Sequence, residues 1–231
     1  MNVIKLISSR TRVLLVLMGV FFAVSGSAIA NSVFISPLGE KVDSELDSIS
    51  VSLNSENGWL LGGYKEEEDG NNVPYISLVP IDGTKARYWA LTEGYASQLF
   101  EREGESYVLL STGKTLKIES MEISLADFQF KPNSLLVTDE PELIACTKIG
   151  WAKLSSSTIA SCYRVDGTWD VDVYWTRVDV PPEVCGGKLK VLVSSDRQRK
   201  WEVLVLDQKT GKQLSSKKVD KPEVAASICQ L

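Results

Sequence analysis

Apolar residues in this chain recur at every second position, in short runs, and a turn signal cuts off each run. Ile49-Ser50-Val51-Ser52-Leu53 is the clearest case. Successive side chains of a strand point to opposite faces, so period two marks a half-buried β-strand. Residues 59–64 and 75–79 flank an acidic, Gly- and Asn-rich connector, which reads as a hairpin with a long tip. Residues 86–91 follow a Pro80-Ile81-Asp82-Gly83 turn, and 107–110 and 116–119 are joined through Ser111-Thr112-Gly113-Lys114. Further runs lie at 98–101, 134–137, 143–146, 158–165, 169–177, 189–193, 201–206 and 213–219. The spacing predicts about fifteen strands and an all-β fold of many short antiparallel strands, sandwich or propeller-like. Helical segments are expected only at 121–130 and 224–228. Pro132-Asn133 marks an internal boundary near 131–134, because Pro cannot donate to a ladder.

Residues 1–30 are set apart from this pattern. Lys5, Arg10 and Arg12 precede an apolar run over 13–24, and Ala28-Ile29-Ala30 closes the segment. A positive start, a short apolar stretch and a small-x-small ending make a secretory signal peptide cleaved after Ala30. The run is too short for a helix that must cross roughly 30 Å of hydrocarbon. The domain is therefore expected over 31–231, periplasmic or secreted, with no membrane-spanning segment after cleavage. The whole chain carries a net charge of −5, and losing three cations with the leader makes the remainder more negative. Nucleic acid is excluded as a partner on that ground, since phosphate contacts dominate such binding.

Cys146, Cys162, Cys185 and Cys229 are an even set in an oxidising compartment, which predicts two disulfides. Three pairings are possible; the favoured one joins Cys146 to Cys162, tying two nearby strands, and Cys185 to Cys229, pinning a C-terminus that would otherwise fray. No metal site is expected, because CxxC spacing is lacking and the chain has no His. The missing His also excludes a Ser-His-Asp triad and a Cys-His pair within this chain. No cofactor-binding motif is present.

Residues 203–214, VLVLDQKTGKQL, resemble the outer-strand turn of a quinoprotein-like β-propeller blade. Fainter copies are Pro80-Ile81-Asp82-Gly83-Thr84-Lys85 and Ser111-Thr112-Gly113-Lys114. The resemblance implies a propeller-like fold of about four blades. The copies do not fall at one period, and the Trp that such blades carry after the turn is absent from 203–214. No quinone site is carried over.

Three stretches are candidates for function. Glu66, Glu67, Glu68 and Asp69 crowd one turn, suited to binding a basic partner; their order is not that of an EF-hand loop, and they equally suit a solvated tip. From Trp169 the alternation is strict and puts Asp170, Asp172 and Tyr174 on one face. Two strand positions separate carboxylates by roughly 7 Å, within the range of an inverting glycosidase. Tyr174 is placed to stack on a sugar, and the same face also suits plain exposure to solvent. Lys188, Lys190, Arg197, Arg199 and Lys200 form a local basic cluster.

These features lead first to an exported, non-catalytic binding or scaffold protein of the bacterial cell envelope, with a protein partner. Second comes a carboxylate-dependent glycan hydrolase or carbohydrate-binding protein. Third comes an acidic periplasmic inhibitor or immunity protein.

Overall fold

The computed structural model describes residues 33–35, 41–43, 46–119, 122–151, 158–174, 180–195, 200–220 and 227–230. Strands β1 (Val33–Ile35) and β2 (Lys41–Asp43) form a small hairpin. Residues 1–30, expected from the sequence to be a signal peptide, lie outside the described residues. Sixteen further strands make four antiparallel sheets, each a meander of four consecutive strands.

The first sheet holds β3 (Ser48–Ser55), β4 (Gly58–Glu66), β5 (Asn72–Pro80) and β6 (Arg87–Ala90). The second holds β7 (Ala96–Arg102), β8 (Glu105–Leu110), β9 (Thr115–Glu119) and β10 (Glu122–Leu125). The third holds β11 (Ser134–Thr138), β12 (Ile144–Trp151), β13 (Thr158–Arg164) and β14 (Asp170–Tyr174). The fourth holds β15 (Glu183–Cys185), β16 (Lys188–Ser195), β17 (Lys200–Asp207) and β18 (Gln213–Val219). The fold is thus all-β, compatible with a propeller-like set of four blades or with a layered sandwich.

Each sheet packs face to face on the next. Leu60 and Ile76 of the first sheet meet Val108 and Ile118 of the second. Phe100 and Leu109 of the second meet Leu136, Ala145 and Tyr163 of the third. Ile144, Trp169 and Val173 of the third meet Leu189, Val191 and Leu206 of the fourth. The second and third sheets therefore bury both faces, and their central strands read as unbroken apolar runs. Val108-Leu109-Leu110 and Ile144-Ala145-Cys146 are fully buried. The exposed first strand β3 instead alternates. First strands are neighbours, with β7 touching β3 and β11, and β11 touching β15.

Residues 203–214 are the outer hairpin of the fourth sheet, β17 and β18. Its turn is clamped by Asp207, whose Oδ1 accepts from the Thr210 backbone N–H (2.9 Å) and hydroxyl (2.8 Å). Asp82 holds Thr84 in the same way, at 2.9 and 2.7 Å, between β5 and β6. Asp166 holds Thr168, at 3.0 and 2.8 Å, between β13 and β14. All three clamps join the third strand of a sheet to its fourth. The Ser111–Lys114 echo is different, since it joins a second strand to a third.

Of the 121–130 segment, residue 121 lies outside the described residues and 122–130 are not helical. Residues 122–125 are β10, paired with β9 through Ile123 opposite Ile118, because the second sheet needs a fourth strand. At the other end Ile228–Gln230 form one 3-10 turn, and 224–226 lie outside the described residues. Both disulfides pair as expected. Cys146 and Cys162 face each other across β12 and β13, with Cα atoms 4.0 Å apart. Cys185–Cys229 joins β15 to the 3-10 turn. Residues 131–133 lead from the second sheet into the third, which Ser134 begins, and an apolar core runs across that point.

One contact couples the last two sheets. Trp169 donates from Nε1 to the Gln208 carbonyl at 3.1 Å, and its ring lies against Gly211. A Cβ at Gly211 would stand 2.6 Å from that ring, whereas one at Gly83 would meet nothing within 4 Å. Both glycines have positive φ, +67° and +72°. Gly83→Ala should therefore cost only the left-handed backbone term, about 1–2 kcal/mol. Gly211→Ala should cost about 1–3 kcal/mol more through overpacking. Urea denaturation of the two variants checks this, and equal losses would refute the docking role of Gly211.

Candidate functional site

The turns joining first to second strands and third to fourth strands lie at one end of the sheets. Gln208 Nε2, in the β17–β18 turn, donates to the Glu140 carbonyl in the β11–β12 connector at 3.1 Å. At this end a groove of about 640 Å³ opens between the second and third sheets. A smaller cavity of about 240 Å³ lies between the first and second sheets, beside Asn57 and Ile81.

The near wall of the groove is built by the connector 126–133. Three backbone N–H groups tie it to the second sheet: Ala126 to the Thr115 carbonyl, Phe130 to Gly113 and Asn133 to Ser111, each at 2.9 Å. Held this way, Phe130 is buried in the core and Phe128 stays half-buried at the groove. The Phe128 ring stands 5.3 Å from Tyr107 at a tilt of 49°. Tyr107 in turn stacks on Phe100 at 5.3 Å. Such pairs contribute about 0.5–1.5 kcal/mol beyond the area they bury.

The charged lining is four carboxylates against two guanidiniums. Arg102 pairs with Glu103 at 3.4 Å. Arg164 on the far wall pairs with Asp166 at 2.6 Å and Glu142 at 3.5 Å. Glu142 Oε2 and Arg164 Nε are buried and have no hydrogen-bond partner. Asp127 is exposed and has no ion-pair partner among the described residues. Burial acts to raise the Asp166 carboxyl, but hydrogen bonds from Thr168 and the Arg164 guanidinium outweigh it and hold it below its ordinary value. Burial, foremost, raises the Tyr107 phenol. Near neutrality the groove thus presents an ionised Asp166 and an un-ionised Tyr107 phenol.

The candidates read from the sequence sit elsewhere. Glu66 ends β4, and Glu67, Glu68 and Asp69 form the tip that follows, at the opposite end of the sheets from the groove. Much of that charge is used locally. Glu67 accepts from the Tyr75 hydroxyl at 2.6 Å. Asp69 accepts from the Asn71 backbone and side-chain amides at 3.0 and 2.7 Å, which lowers its pKa. Tyr174 ends β14 opposite Ile159. Arg197 and Arg199 lie outside the described residues, as does Trp175.

Asp170 and Asp172 do share a face of β14, opposite Tyr163 and Ser161. The partner of Asp170 is Lys131, whose ammonium pairs with its carboxylate. Lys131 also donates to Ser161 Oγ at 3.2 Å and lies 4.6 Å from the centre of the Tyr163 ring. Ser161 donates to the other oxygen of Asp170. Burial acts to raise Asp170, and the hydrogen bonds from Lys131 and Ser161 outweigh it, so the carboxyl stays below its ordinary value. An ammonium held by a carboxylate has no lone pair with which to take a proton from Ser161. The cluster is a clasp that fastens the connector to the third sheet.

Glu183, Cys185 and Cys229 are grouped closely enough to hold a cation. Both sulfurs belong to the disulfide, which leaves a single carboxylate. No helix among the described residues is long and apolar enough to cross a membrane. No protein-family model and no curated protein matches this chain.

The Lys131–Asp170 clasp generates a pH signature. A depressed carboxylate contributes stability that is complete above the ordinary Asp value of 3.8 and is lost as pH falls through the folded-state value. Both groups are largely exposed, so Asp170→Asn should cost no more than about 1 kcal/mol at neutral pH. That difference should shrink as pH falls below 3.8 and through the folded-state value. Urea denaturation of both proteins across this range tests it, and a loss that persists in acid would contradict the assignment.

Proposed function

We propose that this is an exported, non-catalytic binding protein of the bacterial cell envelope, and that it recognises a protein partner through the groove between the second and third sheets. The observation that carries the reading is the lining: Tyr107, Phe128 and Arg102 stand together at an open groove, on elements tied to a doubly buried sheet. Aromatic and Arg side chains dominate the energetics of protein interfaces, and a rigid frame lowers the entropy lost on binding. The leader-like residues 1–30 and the two disulfides support an oxidising, exported location.

The glycan-hydrolase reading has less support. A general acid needs a raised pKa, and Asp170 is lowered by its partners. The inhibitor reading rests on a different observation, the exposed tip at Glu66 to Asp69. The two surfaces lie at opposite ends of the molecule, so they can be blocked separately.

The four native cysteines are all in disulfides, so an introduced thiol can be labelled selectively. Gln129→Cys puts a label in the groove, and Glu68→Cys puts one on the tip. The immobilised, oxidised protein is exposed to envelope extract, with a glycan array in parallel. One stoichiometric protein partner is expected, lost on labelling Cys at 129 and kept on labelling at 68. The reverse pattern would transfer the function to the acidic tip. Glycan binding with no protein partner would replace the proposal by the carbohydrate reading.

A further inference from the structure

We infer that the groove takes a basic side chain, Lys or Arg, from an extended segment of the partner protein, and that Phe128 and Asp127 are its receptor. This rests on the binding-protein reading and specifies the partner's chemistry. Charge complementarity selects the occupant. Both guanidiniums in the groove are already paired, Arg102 with Glu103 and Arg164 with Glu142 and Asp166. They therefore offer little to an anion. The surplus charge is negative, and Asp127 carries part of it without an ion-pair partner among the described residues. Asp127 is adjacent in the chain to Phe128, whose ring meets Tyr107 at 5.3 Å. An aromatic face carries negative partial charge and attracts a cation within about 6 Å of its centre. A long alkyl stem covers apolar surface while its charged head reaches a polar group. Phe128 and Asp127, which both line the groove, supply those two halves.

Three further observations agree. A groove of about 640 Å³ is of the size that holds a small ligand or a few side chains, more room than a bare metal ion needs. The net charge of −5 on the chain attracts cationic partners at long range. This protein already makes the same kind of contact within itself, where Lys131 lies over Tyr163 beside Asp170.

The test uses the full exported, oxidised protein and defined probes. Acetyl-Gly-Arg-Leu-Gly-amide is titrated by calorimetry, alongside the same peptide with citrulline, which keeps the shape and loses the charge, and alongside spermidine. Binding of the Arg peptide is expected, weakened at least about fivefold by citrulline and by raised salt. Asp127→Asn should weaken it by a similar factor with an unchanged melting curve. Phe128→Leu removes the π face while keeping the apolar packing and should weaken the Arg peptide more than the citrulline peptide. Glu68→Gln, at the distant tip, should change nothing. Absent binding, equal binding of the citrulline peptide, or equal loss through Glu68→Gln would overturn the inference. Tighter binding of spermidine than of the peptide would overturn it in favour of a small polycation site. Failure here is distinguishable from failure of the broader reading. A partner captured equally by wild type and Asp127→Asn, and lost on labelling at 129, would sink this inference and leave the groove-binding function standing.

Discussion

A single buried phenol holds the middle of the molecule together. Tyr163 is 5 % exposed and packs with Phe100, Phe130 and Leu136 where the second and third sheets meet. Its hydroxyl accepts from the Lys131 backbone N–H at 2.7 Å and shares a hydrogen bond with Ser134 Oγ at 2.6 Å. A buried hydroxyl without partners would cost about 1–3 kcal/mol; here the partners are Lys131, late in the inter-sheet connector, and Ser134, the first residue of β11. The ring therefore contributes apolar packing, and the hydroxyl sets the path of the chain that leaves the second sheet. Everything described at the groove follows from that path. With Lys131 pinned, Phe130 enters the core, Phe128 stays at the surface beside Tyr107, and Asp127 is left facing water.

Charge is distributed along the axis of the sheets with a clear division of labour. The acidic tip at one end satisfies much of itself through Tyr75 and Asn71. The groove at the other end pairs its cations and leaves carboxylates over. A surface that has already spent its charge internally contributes to solubility and guards an edge, whereas one that has not is available to a partner. By this criterion the longer acidic run in the sequence is the less capable site.

The strand content and both disulfides were legible because they depend on local signals: period two, turn residues and an even cysteine count. The run 121–130 misleads for a physical reason. Ile123, Leu125, Phe128 and Phe130 keep period two within each pair, but the register shifts between Leu125 and Phe128, where the chain leaves β10 for the connector. A helical reading absorbs that shift, and a strand reading has to break there. Lys131 as the partner of Asp170 was not legible, because 39 residues separate them and only the stacking of sheets brings them together. The groove was hidden likewise, being shared among elements from Arg102 to Asp166. The turn echoes were partly legible. Pro80–Lys85 does occupy the place that the 203–214 turn occupies in its own sheet, while Ser111–Lys114 does not. The true third copy, Asp166-Gly167-Thr168, is followed at once by the Trp missing from 203–214, and that Trp docks on the next sheet's turn. Asp82, Asp166 and Asp207 then stand about two and one sheet-lengths apart, a regularity hidden while the wrong member was in the set.

One face of the fourth sheet packs on the third, and its other face needs a different cover. The outward face of the fourth sheet, with Leu192, Trp201 and Val203, is closed by Val180 and by Ile228 of the C-terminal turn. That turn is fastened to β15 through Cys185–Cys229. Before oxidation the closing segment has no covalent anchor, and the apolar face beneath it is uncovered whenever the segment lifts, a surface on which chains associate. The second disulfide is thereby the covalent link that keeps Ile228 over this apolar face, so a bond at the molecule's edge acts on the packing of a whole sheet.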